Sequence, residues 1–273
     1  MMGKRSLVTV VDDDESVRES LPDLLRELGF AAEAFSSAEA FLVSDVVSET
    51  GCLLLDVAMP GMSGPELLQE LIRRRREMLR QHQGRAAQPS ACIVDSQIVR
   101  AHDTVSKKTS GYHGGKKITG RGRHLAVDAE GWLLALVVTA ASISDKAGAK
   151  LLLIKLFDLF STLKIMWADS GYDGAPLARY ARAVAAITVE VVKRTSPHSF
   201  QVVRRRWVVE RTFGWLMRWR RLVRDYERRT ENHEAMVYWA TIFIMTRRLA
   251  RYENQQPPIK RWGQDRKPAA QAT

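Results

Sequence analysis

The sequence predicts an α/β fold in two parts, a short part with a parallel sheet and a longer part with a mixed sheet. Short apolar runs alternate with segments of helical spacing along most of the chain. The charge also divides sharply, because residues 1–72 hold 4 basic and 14 acidic side chains while residues 73–273 hold 38 basic and 17 acidic ones. Segments of opposite charge seldom serve one surface, so we expect two domains.

The first 72 residues predict alternating strands and helices. LVTVV (7–11) is a short strand followed by three aspartates, and residues 16–29 have the spacing of an amphipathic helix that Gly29 ends. FAAEAF predicts a second strand, SAEAFL the start of a helix, and CLLLD (52–56) a third strand. Because CLLLD is apolar up to its aspartate, we expect burial on both faces, as in a parallel sheet.

A polar stretch at residues 73–90, beginning with RRRR, is the predicted junction, and a new pattern of strands and helices follows over residues 91–250. The predicted strands are ACIVDSQIV, RHLAVDA, WLLALVVTA, LKIMWAD (163–169) and TVEVV (188–192). The predicted helices cover residues 144–159, 174–186, 204–221 and 232–250. We expect the polar tail, 251–273, to be disordered.

The composition excludes several classes of protein. No apolar run approaches the ~20 residues needed to cross a bilayer, and the N-terminus has no secretory cleavage site, so we expect a cytoplasmic protein without a membrane partner. Cys52 and Cys92 lack a second pair of metal ligands, which predicts buried reduced thiols. The net charge of +11 suits a polyanion such as DNA.

Three carboxylates of the basic part occupy unusual positions. Asp95 interrupts an apolar strand, Asp169 ends another before a Ser-Gly turn, and Glu210 lies inside a helix. Singly, such acids are usually turn formers or ion-pair partners, but buried together they need a cation or solvent. In phosphodiester chemistry, two cations ~3.5–4 Å apart activate the attacking oxygen and stabilise the leaving one. Carboxylates suit Mg²⁺ or Mn²⁺, so the set predicts a metal site.

The loop SGYHGGKKITGRGRH (110–124) predicts a second functional feature, because glycines allow close approach of backbone to phosphate. We expect it to contact DNA through Lys116, Lys117, Arg121 and Arg123. A nucleotide-binding P-loop does not fit, since Ser110 stands in place of its first glycine and Lys117 in place of its Ser or Thr. A solvated hairpin stays open as an alternative.

The helix at 204–221 alternates aromatic and basic residues. We expect Trp207 and Trp215 to lie in the core. Arg211, Arg218, Arg220 and Arg221 would then line the side that faces DNA, and we expect Arg206 to bind DNA as well.

These segments, from about residue 77 to 250, closely resemble transposases of the insertion-sequence-five family. The motifs are PSACIVDSQIV, GYHGGKKITGRGRHLAVDAEGWLLALVV, ASISDKAGA, IMWADSGYDG and RRWVVERTFGWLMRWRRLVRDYE. The resemblance implies an RNase H-like fold and a DDE active site, with Asp95, Asp169 and Glu210 as catalytic acids and metal ligands. It includes Arg206, one helical turn before Glu210. The broader pattern has a base seven residues after the glutamate, where this chain has Met217 followed by Arg218.

The resemblance also implies a reaction and its partners. With Mg²⁺ or Mn²⁺ bound, water hydrolyses a phosphodiester at the end of the element, and the released 3′-hydroxyl attacks target DNA in the same site. The implied partners are transposon ends and target DNA, and a homodimer is left open as the assembly. Tyr172 is expected to pack or to position DNA rather than to act as a nucleophile.

The acidic part closely resembles the first half of a response-regulator receiver domain, which has a flavodoxin-like fold. The matching motifs are VVDDDESVRESL, SSAEAFL and LLLDVAMPGMSGPELL, and the resemblance ends near Leu71. It implies that Asp12, Asp13 and Asp56 bind Mg²⁺ and that Asp56 is the phosphoryl acceptor. The later strands of that family, with their Thr/Ser and Lys, have no match. An element inserted into a receiver gene would explain this partial fragment.

We therefore expect a DNA transposase that cleaves and transfers strands, fused behind a truncated receiver. One alternative is a phosphorelay protein that binds DNA without cutting it, for which a histidine kinase stays open as a partner. A fusion that folds but lacks activity also stays open, as does a nuclease without strand transfer.

Overall fold

The computed structural model describes residues 7–192 and 206–253, which form two β-sheets flanked by helices. The elements of the acidic part are β1 (Leu7–Val11), α1 (Glu15–Glu27), β2 (Ala31–Phe35), α2 (Ala38–Val43), α3 (Val46–Glu49), β3 (Thr50–Leu55) and α4 (Gly64–His82). Its three strands are parallel, in the order β2-β1-β3. The acidic part is thus the partial flavodoxin-like fragment that the sequence predicts.

The basic part contains the second, mixed sheet. Its elements are β4 (Ala91–Arg100), β5 (Gly111–His113), β6 (Ile118–Val127), β7 (Leu133–Ala140), α5 (Asp145–Leu159), β8 (Ile165–Ala168), a 3₁₀ turn (Ser170–Tyr172), α6 (Ala175–Ala185), β9 (Thr188–Val191), α7 (Arg206–Leu216), α8 (Arg220–Val223) and α9 (Thr230–Glu253). β6 pairs antiparallel with β4 and β7, whereas β8 pairs parallel with β4 and β9. β5 forms a short hairpin with β6. The resulting order, β7-β6-β4-β8-β9 with the first strand in the middle, confirms the RNase H-like core.

The two faces of this sheet bury alternate residues of each strand, as the period of two requires. Ile93 and Leu125 pack toward α4, α7 and α9, in one continuous hydrophobic cluster that also includes residues of the acidic part. Val94 and Ala126 pack toward α5 and α6 on the other face. Odd-numbered residues of β4 and β6 therefore lie on the face of Ile93, and even-numbered residues lie on the face of Val94.

The predicted junction, 73–90, is helical up to His82. α4 starts in the acidic part, where Leu67 and Leu68 are buried, and its C-terminal half packs against α9. Arg80 forms a buried ion pair with Asp128 at 2.7 Å. The helix can continue through the predicted junction, because the run of arginines is spread around it while the apolar stripe continues.

The prediction that the strand CLLLD is buried on both faces is also wrong. In the described residues β3 pairs with β1 alone, and Leu54 is exposed. α1 packs mainly against β1 and β2, so it leaves this part of β3 uncovered. Cys52 is exposed for the same reason, whereas Cys92 is buried as expected, and both thiols are free.

The helix predicted over 204–221 is interrupted. α7 ends at Leu216, and Trp219 adopts an extended backbone before the short α8. Trp219 packs edge-on against Phe243 of α9 at 4.9 Å, so tertiary packing overrides helix propensity. Residues 204 and 205 lie outside the described residues, as do 254–273 of the predicted tail, whereas 251–253 belong to α9.

The predicted loop at 110–124 is mostly strand, because β5 and β6 leave only residues 114–117 as a turn. Gly120 is required by sheet packing, since a Cβ there would lie 1.9 Å from the carbonyl oxygen of Val99. This glycine therefore allows β4 to approach β6 rather than backbone to approach phosphate. No helix in the described ranges combines the length and the apolar character needed to cross a bilayer.

Candidate active site

Two neighbouring parallel strands bring Asp95 and Asp169 to the same level of the mixed sheet. Ile93 of β4 lies opposite Trp167 of β8, and each aspartate follows two residues later. Asp169 caps the 3₁₀ turn after β8, where its Oδ1 accepts a hydrogen bond from the backbone N–H of Gly171 at 2.8 Å. The strand pairing thus places two of the three predicted acids side by side.

The third acid, Glu210, comes from α7, which packs over β4 on the face that also carries Ile93. Arg206, one turn earlier on α7, joins the acids. Its Nη2 lies 3.4 Å from Oε1 of Glu210 and 3.6 Å from Oδ2 of Asp169. The helix and the end of β8 therefore meet at one guanidinium group.

Asp95 is half-buried within β4. Burial raises the pKa of its carboxyl to about 6, and the negative charges of Asp169 and Glu210 add to this rise. The backbone N–H of Ser96, which donates to Oδ1 of Asp95 at 2.7 Å, and the charge of Arg206 oppose it. The site therefore holds more negative charge than its surroundings neutralise, which a cation would relieve.

Polar side chains that the sequence did not single out as a group lie on the opposite face of β4. The hydroxyl of Ser96 hydrogen bonds to Oδ1 of Asp145, at the start of α5, at 2.5 Å. Tyr172 is buried, and burial together with the charges of Asp95 and Asp145 raises the pKa of its hydroxyl. Of the two expected roles, packing or positioning of DNA, its burial agrees with packing. The pair Ser96–Asp145 joins positions 49 residues apart, so no local pattern could have revealed it.

The prediction that Arg121 and Arg123 contact DNA is wrong. Arg121 and Arg123 are fully buried. Arg121 forms an ion pair with buried Asp225 at 3.0 Å, and Arg123 donates to the carbonyl oxygen of Leu222. Burial lowers the pKa of Arg123 to about 10. Both side chains therefore hold the protein together and do not reach a ligand.

The arginines of α7 also divide into structural and exposed groups. Arg211 donates to the carbonyl oxygen of Glu130 at 2.7 Å and lies over the ring of Trp215, 4.8 Å from its centre, so it has a packing role. Trp215 stacks on Trp132, as its expected core position requires, but Trp207 is 39% exposed and is not a core residue. Arg218 is exposed, as are Lys116 and Lys117 at the tip of the β5–β6 hairpin.

The acidic part carries a second group of acids. Asp12 follows β1 and Asp56 follows β3, which are adjacent parallel strands, and one oxygen each of Asp12, Asp13 and Asp56 lies within 4.8 Å of the others. Among the described residues, these three acids form the set of potential metal ligands whose oxygens lie this close together. Three carboxylates at such spacing fit a hard divalent cation. The oxygens of Asp95, Asp169 and Glu210 are more widely spaced. Carboxylate oxygens of this kind also suit Mg²⁺ or Mn²⁺.

Comparisons with known proteins find two families along the chain. The family described as "Transposase DDE domain" matches residues 86–245, which is more than half of the chain. The chain therefore belongs to the DDE transposase family. The family described as "Response regulator receiver domain" matches residues 8–112. The two matches overlap at β4, which in the structure is the central strand of the RNase H-like sheet.

Individual relatives fall into the same two groups. The putative transposase for insertion sequence element IS402 from Burkholderia cepacia is 31% identical over 145 residues, covering 48% of this chain and 65% of that protein. The transcriptional regulatory protein FixJ from Azorhizobium caulinodans is 53% identical over 64 residues, covering 23% of this chain and 30% of that protein. The solved structure of response regulator StyR is 51% identical, covers 25% of this chain and 34% of that chain, and superposes with a TM-score of 0.24. The chain thus spans less than two thirds of each of these relatives.

Proposed function

We propose that the chain is a DNA transposase that cleaves strands and transfers them, with divalent cations held by Asp95, Asp169 and Glu210. The observation that carries this proposal is that Arg206 pairs with Asp169 after β8 and with Glu210 of α7, while the charges of all three groups act on Asp95 of β4. Family membership supports the same assignment of the acids. We place the catalytic domain at 91–250 and the truncated receiver at 1–72, and we expect the protein to act in the cytoplasm.

Each side chain has a distinct role in this proposal. Asp95 and Asp169 would hold cations from the strand side and Glu210 from the helix side. Bound Mg²⁺ or Mn²⁺ supplies activation of the attacking oxygen and stabilisation of the leaving one. Arg206 balances the charge of Asp169 and Glu210, and beside a scissile phosphate it would donate to a phosphate oxygen. Lys116, Lys117 and Arg218 would contact the DNA backbone farther away.

A cleavage assay tests this function. The substrate is linear DNA that carries the sequences flanking this gene, incubated with and without Mg²⁺. We expect Mg²⁺-dependent nicks at the ends of the element, followed by joined products. Joined products separate a transposase from a simple nuclease, and protein that binds this DNA but never nicks it would identify an inactive fusion.

A second candidate function rests on the group Asp12, Asp13 and Asp56. Its close spacing favours cation binding and, with Asp56 as acceptor, phosphorylation in a phosphorelay. Acetyl phosphate would label Asp56, and labelling that changes DNA affinity would support a signalling protein with a histidine kinase as its partner. The transposase is favoured, because the described acidic sheet contains only three strands and ends at β3.

A further inference from the structure

The segment between α7 and α9, residues 217–229, exposes five arginines, and we call it the basic segment. The exposed side chains are those of Arg218, Arg220, Arg221, Arg228 and Arg229. Its two acids do not offset the other four, because Asp225 is fully buried and Glu227 pairs with Arg221 at 2.6 Å. The surface that the basic segment presents to solvent is therefore strongly positive.

Arg121 fixes the shape of this segment from below. Besides its ion pair with Asp225, its guanidinium donates to the carbonyl oxygens of Glu227, Arg228 and Arg229 at 2.9, 3.0 and 3.2 Å. Nδ1 of His233 lies 2.8 Å from the other oxygen of Asp225. One buried guanidinium thus binds three consecutive carbonyl groups of the chain whose arginines point outward.

Contacts with the end of β4 add a second anchor. The backbone N–H of Asp225 donates to the carbonyl oxygen of Arg100 at 2.9 Å, and the carbonyl oxygen of Asp225 accepts from the N–H of His102 at 2.7 Å. The hydroxyl of Thr104 donates to the carbonyl oxygen of Tyr226 at 3.0 Å. A segment held in this way loses little conformational freedom when it binds a ligand, so its contacts contribute more of their energy to affinity.

The position of the basic segment relative to Asp95 follows from the strand. Ala101, which bridges to Asp225, lies six residues beyond Asp95 along the direction of β4. At about 3.3 Å per residue this is about 20 Å. At about 3.4 Å per nucleotide of one strand, the same length of duplex DNA contains about six base pairs.

We propose that the basic segment is a preformed surface for the sugar-phosphate backbone of duplex DNA, about six base pairs from the phosphate that is cut at Asp95. Arg121 acts as its positioning residue. The tip of the β5–β6 hairpin extends the surface. Gly120 of β6 lies opposite Arg100 at the end of β4, and Lys116 and Lys117 are exposed in the turn that precedes β6. This inference rests on the proposed function for the location of the cut phosphate, but DNA binding by the segment can be measured without cleavage.

The test compares two sets of substitutions in the full chain. One variant carries Arg218→Gln, Arg220→Gln, Arg228→Gln and Arg229→Gln. The control carries Arg179→Gln and Arg182→Gln, two exposed arginines of α6 on the opposite face of the sheet. Affinity for a duplex with the flanking sequences is measured without divalent cations over a range of salt concentrations. All six positions are exposed, so we expect both variants to fold.

Each lost phosphate contact lowers the slope of log affinity against log salt by about 0.9. We expect the fourfold variant to lose about 3 to 4 from the slope and the control to match the wild type. Hydroxyl-radical footprints should lose protection about six base pairs from the cleavage site in the fourfold variant and keep it at the site itself. Equal slopes for the fourfold variant and the control would overturn the proposal. Absent cleavage by wild-type protein whose slope behaves as expected would instead count against the proposed function alone.

The variant Arg121→Lys tests the positioning role, because lysine keeps the charge but cannot bind three carbonyl groups in a fixed plane. We expect part of the loss of slope although every exposed arginine remains. A folded Arg121→Lys protein with a wild-type slope would remove Arg121 from the proposal. If this variant does not fold, the fourfold variant alone decides whether the surface binds DNA.

Discussion

The two groups of acids in this molecule are built in opposite ways. Asp12, Asp13 and Asp56 come from adjacent strand ends of a small parallel sheet and close to within 4.8 Å of one another. Asp95, Asp169 and Glu210 come from two strands and a helix, and Arg206 links two of them. Asp12, Asp13 and Asp56 belong to a described sheet of three strands. Asp95, Asp169 and Glu210, which we call the open group, belong to a core with the five strands of the RNase H-like order.

The spacing of carboxylates alone therefore does not identify a catalytic site. Strand ends that neighbour each other in a parallel sheet bring acids together even in a sheet of three strands. In the proposed active site a helix supplies the third acid, and Arg206 balances part of the negative charge. Substitutions in the two groups should consequently differ in their effects on cleavage, stability and metal binding.

The substitution Asp169→Ala should abolish cleavage, because it removes a proposed metal ligand at the centre of the open group. We expect a loss of more than about 10³-fold, with DNA binding unchanged or stronger because a repelling charge is gone. Nicking assays and filter binding measure the two effects. The matched control is Asp173→Ala, an exposed acid four residues later that should cleave like the wild type. Similar cleavage by wild type and Asp169→Ala would refute the assignment.

The substitution Arg80→Met tests whether α4 ties the acidic part to the core. It leaves the buried carboxylate of Asp128 without its cation, which should lower the free energy of unfolding by about 3–5 kcal/mol. Chemical denaturation measures this change. The exposed pair Arg26–Asp23 provides the control, since Arg26→Met should cost less than about 1 kcal/mol. A small effect of Arg80→Met would mean that α4 does not anchor in the core.

The substitution Asp95→Asn should stabilise the metal-free protein. The pKa of Asp95 is raised from 3.8 to about 6, so the folded state binds its proton more tightly and burial of the charge costs stability above that pH. At neutral pH we expect a gain of about 3 kcal/mol. The difference should shrink as the pH falls through 6 and vanish near 3.8. Denaturation curves in chelator across this range measure it, and a constant difference would contradict the cause given for the shift.

The substitution Asp56→Asn should affect cleavage least. It should remove Mg²⁺-dependent stabilisation of the acidic part, which amounts to about 1.4 kcal/mol when the free ion is ten times its Kd. Thermal unfolding with and without Mg²⁺ measures this loss, and cleavage should stay within about twofold of the wild type. A loss of cleavage as large as that of Asp169→Ala would erase the distinction between the two groups.

Two acids of the proposed site could be singled out because Asp95 lies within a strand and Asp169 follows one, and both strands have a local pattern. The alternation of residues along β6 also indicated that Arg121 and Arg123 are buried, because they lie on the same face as Leu125 and Val127. Their glycine neighbours obscured that signal, because glycine next to arginine is also typical of phosphate-binding loops.

Other features could not be predicted, since they depend on contacts between distant segments. The hydrogen bond from Ser96 to Asp145 needs the folded sheet and α5 together. The break after α7 needs Phe243 of α9 as a packing partner for Trp219. The helical course of α4 through its arginines needs Asp128 to receive Arg80.

Anomalous scattering of Mn²⁺, in crystals of the chain with a short duplex that carries the flanking sequence, would locate the catalytic cations directly. We expect two Mn²⁺ peaks about 3.5–4 Å apart among Asp95, Asp169 and Glu210, beside a backbone phosphate and with Arg206 turned away from Asp169. Mn²⁺ bound at Asp12, Asp13 and Asp56 but absent from the open group, with DNA in place, would contradict the proposed active site.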